Sequence, residues 1–354
     1  MHAHQDLTSL LRGVTTVTGG SVVTPRVTAP LGRVLPYRRA RGFGPAPQQA
    51  DGDGWTVTLG NGALGDTLLA LGAVAALHDA RPGDALAYKG KRASLLGRCH
   101  LPFTTLREAG AEYVRLGSGT AHFAADPERP AAWLDLVDED HVEVHAALPM
   151  RYYLEVEQRL GLRLPRDRAP VPSFTGNGIA DPWHVVLICA TSWHSRKDYG
   201  ASGFGEIARC LTDALSGPWR FTLVSGREAV PDAIPGIDIA AGLDPVECLD
   251  LFATAALVIG NDTGLTHLAA LTERPDGTCP QVIGLYARHS HAKWTTGRPN
   301  HHAVATPFSS LLTLADRCPV RDRLDDAVWG GAADLRAIPA ATIAAFALQL
   351  LERR

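Results

Sequence analysis

A chain of 354 residues is long enough for about two domains. Its 45% hydrophobic and 20% charged residues describe a globular protein, and a formal net charge of −3 supplies no field to gather nucleic acid or an anionic membrane. No apolar run approaches the roughly 18 residues of a membrane span, the N-terminus lacks the apolar core of a signal peptide, and the six cysteines form no CxxC pair, so a cytoplasmic protein with reduced thiols and no stable membrane insertion is expected.

Residues 1–54 carry Pro25, Pro30, Pro36, Pro45 and Pro47 with Arg33, Arg38, Arg39 and Arg41 between them. That density of breakers predicts a loosely, partly ordered leader. From Trp55 the pattern becomes alternating strands and helices. Trp55–Leu59 reads as a strand, and Asp66–Arg81 has apolar residues at helical spacing before Pro82. Strands are expected at Ala85–Lys89, Tyr113–Leu116 and His141–His145, and a helix at Arg151–Leu162. The three prolines of Pro165–Pro172 suggest an interdomain linker. A second series follows, with strands at His184–Ala190, Phe221–Ser225, Leu257–Gly260 and Val282–Tyr286. Its helices are expected at Phe204–Leu215, Pro245–Ala253 and Thr263–Leu271, and Ala340–Leu351 reads as a final amphipathic helix. Strands alternating with helices imply parallel sheets. The expected organisation is a leader (1–54), a first Rossmann-like domain (55–168), a second (175–335) and a C-terminal helix (338–352), with a ligand cleft between the domains.

Gly60-Asn-Gly62-Ala-Leu-Gly65 fits the dinucleotide fingerprint in its proper strand-to-helix context. Asp66 counts against a pyrophosphate there, because a carboxylate in the first turn competes for the same amides and repels phosphate. The alternative is that Gly62 and Gly65 bring the backbone close to the acceptor side of the cleft and Asp66 takes a proton from an acceptor hydroxyl. A plain helix-capping role for Asp66 fits the same residues.

The most informative segment is Leu257-Val-Ile-Gly-Asn-Asp-Thr-Gly-Leu-Thr-His267. An apolar strand runs into a helix start, whose exposed amides bind phosphate. Thr263 adds a hydroxyl, Gly264 removes a Cβ from the approach, Asp262 can accept from sugar hydroxyls, and His267 lies one turn along the same face as Thr263. Glu228, after the Phe221–Ser225 strand, is a candidate ribose acceptor or a solvated loop acid. Trp193 and His194 could stack on an acceptor. Asp138-Glu-Asp140 has D-x-D spacing but precedes a strand, so it reads as a turn. His289, His291, His301 and His302 cluster beyond the expected last strand without zinc-site partners. They read as loop histidines near the cleft, and no metal site is expected.

Gly260-Asn-Asp-Thr-Gly-Leu-Thr-His-Leu-Ala269 resembles the signature of glycosyltransferase family 9, the ADP-heptose:lipopolysaccharide heptosyltransferases. Leu64-Gly-Asp-Thr-Leu-Leu-Ala-Leu71 is similar to that family's N-terminal motif, and Cys189-Ala-Thr-Ser-Trp-His-Ser-Arg-Lys-Asp-Tyr199 to its middle one. The likeness spans about residues 55–300. It implies the two-domain GT-B fold and inverting transfer from a nucleoside-diphosphate sugar, without metal or other cofactor. It places the base on Asp66 and donor contacts on Asp262, Thr263, Gly264 and His267. Diphosphate contacts fall on Thr191, Ser192 and either Arg196 or Lys197. The middle motif departs from the family's pattern by an apparent one-residue shift, which leaves the cation open between those two. The expected acceptor is a small molecule or glycan, such as a secondary metabolite. The competing readings are an NAD(P)-linked oxidoreductase using Gly60–Gly65 and a non-catalytic nucleotide-sugar binder. The first leaves the second motif unexplained, and the retention of both Asp66 and Asp262 speaks against the second.

Overall fold

The computed structural model of the chain describes residues 15–17, 54–59, 63–80, 82–108, 121–125, 147–150, 152–153, 164, 171–193, 197–228, 230–315 and 331–353. The expected strands Tyr113–Leu116 and His141–His145, most of the Arg151–Leu162 helix, and Asp138–Asp140 lie outside the described residues.

Four parallel strands, β2 (Gly54–Leu59), β3 (Ala85–Gly90), β4 (Phe103–Glu108) and β5 (Ala121–Ala125), form one sheet in the order β4-β3-β2-β5. The chain moves outward from β2 and then returns to its other side. The order therefore reverses between β2 and β5, and helix α1 (Leu64–Ala80) begins just after that point. A short helix, α2 (Ala93–Leu96), links β3 to β4.

The second sheet has seven strands in the order β1-β13-β12-β10-β7-β8-β9. They are β1 (Thr15–Val17), β7 (His184–Ile188), β8 (Arg220–Ser225), β9 (Ile237–Ala241), β10 (Leu257–Asn261), β12 (Gln281–Tyr286) and β13 (His301–Ala305). All pairings are parallel except β1 on β13. The leader thus contributes an edge strand to the distal sheet. The order reverses between β7 and β10, and crevices at such reversals, beyond the carboxyl ends of the strands, are where open α/β sheets bind ligands. Helices α3 (Ala201–Ala214) and α7 (Ala340–Glu352) pack together on one face, with Phe204, Ile207, Leu211, Ile343 and Ala347 buried on the strands. Helices α4 (Pro245–Thr254) and α5 (Gly264–Leu271) cover the other. Helix α4 opens on a full capping box, with Asp244 accepting from the Val246 and Glu247 amides. Helix α6 (Pro307–Ala315) follows β13.

Helix α1 is buried on every side from Thr67 to Val74, which suits a helix lying in a core rather than on a surface. It packs against α5, and its core runs from the first sheet into the face of the second. Gly72 lets the 147–150 segment cross it: a Cβ there would stand 2.4 Å from the Pro149 carbonyl oxygen. A two-stranded ladder, β6 (Phe174–Thr175) on β11 (Thr272–Glu273), gains a bridge from Cys99 to Phe174, and Arg98 pairs with Asp250 at 2.6 Å. These contacts tie the first unit to the second away from the crevice.

Two expectations are corrected. Asp66 is not the N-cap, since α1 starts two residues earlier and Asp66 is its third residue. His301 and His302 are not loop residues, because a further strand, β13, carries them, and both are buried. The Tyr286 hydroxyl donates to the Trp294 carbonyl (3.0 Å) and so accepts from His301 Nε2 (3.3 Å), while His301 Nδ1 accepts from the Thr296 amide at 3.2 Å. A histidine satisfied at both nitrogens can sit in a sheet interior.

Candidate active site

The apolar run Leu257–Gly260 ends at Asn261, and α5 starts three residues later at Gly264. The turn is locked by the Thr266 hydroxyl, which donates to the Asn261 carbonyl at 2.6 Å. Thr263 occupies the N-cap position, yet its side chain makes no capping bond. Its Oγ1 and the Nδ1 of His267 are both buried and have no partner among the described residues. Leaving a buried polar atom unpaired costs about 1–3 kcal/mol. Two such atoms beside the bare amides of one helix start describe a prepared anion or hydroxyl site rather than a capped helix with a core histidine.

Asn261 positions the other half of the site. Its Oδ1 accepts from the Tyr199 amide (3.0 Å), and its Nδ2 donates to the Cys189 carbonyl at 3.1 Å. Both ends of the 189–199 loop are thereby tied to β10. The loop brings Lys197 Nζ to 2.8 Å from Asp262 Oδ2, and His289 Nδ1 donates to the same oxygen at 3.0 Å. Burial works to raise the Asp262 pKa, but the Lys197 charge and the His289 bond outweigh it and hold the carboxyl well below the usual range. Asp262 is therefore ionised at any working pH. Burial lowers His267 to about 4 against the pull of Asp262, with Lys197 adding to the fall, so its ring is neutral near pH 7.

The two reversal points meet. A Cβ on Gly264 would lie 2.5 Å from the Gly65 amide nitrogen and 2.7 Å from Leu64 Cβ, and one on Gly65 would reach 3.3 Å from His267 Cδ2. Gly264 thus serves chiefly to let the starts of α1 and α5 touch, in place of the expected clearance for a ligand. The contact puts Asp66, the residue after Gly65, beside the α5 site. The aromatic residues line one flank: Trp193 lies 6.4 Å from His289 and His289 5.5 Å from Trp294, ring centre to ring centre, with Arg288 over Trp193. The Leu148 amide donates to the Lys293 carbonyl (2.8 Å), which docks the first unit on the loop following β12.

Of the expected site residues, the structure gathers Gly65, Lys197, Asp262, Thr263, Gly264, His267 and Trp193. Thr191 uses its hydroxyl to accept from the Trp193 amide at 3.1 Å, shaping the loop, and Ser192 is exposed. Glu228 is exposed after β8. Gly62, His194 and Arg196 lie outside the described residues. Sequence reasoning passed over Asn261 and Trp294, and left His289 without a partner. A polar Asn closing an apolar strand was a readable signal for the first. Nothing in the loop's pattern pointed to the others.

The fold and site define a GT-B glycosyltransferase: two Rossmann-like units whose reversal points face one another, with an acid on one side and a prepared helix start on the other. Residues 114–321 match glycosyltransferase family 9 (heptosyltransferase), and the chain belongs to that family. It is a glycosyltransferase, and the oxidoreductase reading falls. The solved structures agree on the fold. E. coli heptosyltransferase WaaC, determined with ADP, is 14% identical with a TM-score of 0.56, over 84% of this chain and 99% of that one. A family 9 glycosyltransferase from Veillonella parvula is 12% identical with a TM-score of 0.60, over 86% and 98%. TibC, an iron-containing dodecameric glycosyltransferase from enterotoxigenic E. coli, is 14% identical with a TM-score of 0.50, over 86% and 77%. No curated protein sequence matches the chain significantly. No helix among the described residues is long and apolar enough to cross a membrane.

Proposed function

We propose that this enzyme moves a heptose or related hexose from a nucleoside-diphosphate sugar to an acceptor hydroxyl, with inversion and without a metal or other cofactor, in the cytoplasm. The acceptor is a small molecule or glycan. The observation that carries the reading is the pair of orphaned polar atoms, Thr263 Oγ1 and His267 Nδ1, at the start of α5 beside the Lys197–Asp262 pair. Asp66 accepts the hydroxyl proton while that oxygen attacks the anomeric carbon. The bond from that carbon to the diphosphate breaks, and its electron pair passes to the phosphate oxygen. Preorganised amides and the Lys197 ammonium stabilise that charge, so a cation already on the protein serves where a metal would otherwise be needed. Asp262, held ionised, accepts from sugar hydroxyls.

Thermal shift against ADP-, GDP-, UDP- and dTDP-linked sugars tests the donor class, since a ligand that binds the folded state stabilises it. Turnover should survive excess EDTA. Its abolition by chelation and recovery with Mg²⁺, Mn²⁺ or iron would remove the metal-independent mechanism.

Of the two candidate cations, Lys197 is assigned to the diphosphate. Lys197→Met should weaken nucleoside-diphosphate binding by about tenfold or more, the size of a lost charge-assisted hydrogen bond. It should also lower stability, because Asp262 is left buried without its ion partner. Isothermal titration well below the variant's melting temperature separates the two effects, and undiminished affinity transfers the role to Arg196.

A further inference from the structure

We propose that the indole N–H of Trp294 is a donor-substrate contact, hydrogen-bonding a hydroxyl of the sugar that is transferred. The inference rests on the reading of the crevice as a nucleotide-sugar site and adds a specificity-determining residue from a loop that the sequence motifs do not include. Trp294 is 8% exposed, and its Nε1 is buried with no hydrogen-bond partner among the described residues. The residue is not loosely placed. Its amide donates to the Ser290 carbonyl at 3.1 Å, and its carbonyl accepts from the Tyr286 hydroxyl at 3.0 Å.

The surroundings argue against a simple packing role. A buried indole N–H usually finds a partner, and phenylalanine fills a core without that cost. Here the ring lies against polar groups of the site. It is 5.5 Å from the His289 ring and 5.8 Å from the Lys197 ammonium, and both of those groups bond Asp262 Oδ2. The orphan donor thus belongs to a ring set against both groups that bond Asp262, the residue before Thr263. Of its two neighbours Lys197 serves the diphosphate, and the bond is assigned to the sugar through the other, His289, which holds Asp262, the acceptor for sugar hydroxyls. A hydroxyl that donates to Asp262 can accept from Trp294, and this two-sided grip selects a sugar by the position of that hydroxyl.

Trp294→Phe keeps a ring against His289 and Lys197 and deletes only the N–H donor and part of the ring. Affinities of parent and variant are compared for whichever of the ADP-, GDP-, UDP- or dTDP-linked sugars binds the parent, and for the matching nucleoside diphosphate. The expected result is an affinity for the nucleotide sugar lower by about tenfold and an affinity for the nucleoside diphosphate unchanged within about twofold. Equal nucleotide-sugar affinity in the two proteins overturns the Trp294 contact and leaves the donor reading standing. A parent that binds no nucleotide sugar overturns both. Should the variant not fold, nucleotide deoxysugars titrated against the parent decide the matter: one hydroxyl deletion must reproduce the tenfold loss, and a full series without effect overturns the contact.

Discussion

Asp66→Asn is expected to lower turnover by at least about 10²-fold while nucleotide-sugar affinity and melting temperature stay near those of the parent. Removal of a general base typically costs about 10²–10⁴-fold, and Asn keeps the size of the side chain while losing the proton acceptor. The position sharpens the expectation. Asp66 is the third residue of α1, partly exposed, and the Gly65–Gly264 contact sets the start of its helix against the start of α5. Asn keeps the hydrogen-bonding capacity of a first-turn side chain, and the charge it gives up is a favourable interaction with the helix dipole of about 0.3–1 kcal/mol. Rate and stability therefore separate cleanly. The acidic limb of the pH–rate profile should flatten in the variant, since the group it reports is gone. Turnover within a few-fold of the parent would make Asp66 a helix-start acid only, and the base would have to be sought elsewhere in the crevice.

The parts of this molecule that the sequence displayed are those where one local rule dominates. Val185–Ile188, Leu257–Ile259 and Val282–Ile283 are strands buried on both faces, and continuous runs of Val, Ile and Leu give them away. Helix α1 is equally plain, although it starts at Leu64, two residues before the Asp66 that the sequence suggests. The edge strands were not visible: β4 and β9 mix exposed with half-buried positions, and nothing in Phe103–Glu108 or Ile237–Ala241 alternates cleanly. Strand β13 was hidden by His301 and His302, whose burial depends on distant partners in Tyr286, Thr296 and Gln281. The same limit applied at the site. Asp262, Thr263 and His267 were legible because one strand-to-helix turn holds them. The partners of Asp262 come from loops after two other strands, and no local pattern joins them to it. Gly264 suggests clearance for a ligand in the sequence, whereas the nearest atoms it accommodates are those of Leu64 and Gly65 at the start of α1, far earlier in the chain.

Stability should fall steeply as the pH drops below about 6.5, with a loss of roughly 5 kcal/mol between pH 7 and pH 5.5. The cause is a set of five buried histidines, His184, His267, His291, His301 and His302, each lowered first of all by burial, to about 4 in four cases and well below the ordinary value in His301. Their hydrogen bonds suit the neutral ring. His184 lies between Thr254 and Thr222, and protonation of His301 would turn the nitrogen that accepts from Thr296 into a second donor. In this pH window the unfolded chain binds a proton at each histidine, near its ordinary pKa of about 6.5, and the folded chain binds almost none. The unfolded state therefore gains as pH falls, and the loss continues until the folded-state values near 4 are reached. Each group contributes about 1 kcal/mol over the window stated. Asp262 acts with the opposite timing: its pKa is depressed on folding, so its stabilisation is complete above the usual carboxylate range and begins to be lost only below about pH 4. Urea midpoints between pH 7.5 and 5.5, with an unchanged m-value, read the histidine effect directly. A flat profile over that range would mean that these rings are protonated in the folded protein. His267 would then present a cation to the diphosphate instead of a neutral ring, and the electrostatics assigned to the start of α5 would have to be redrawn.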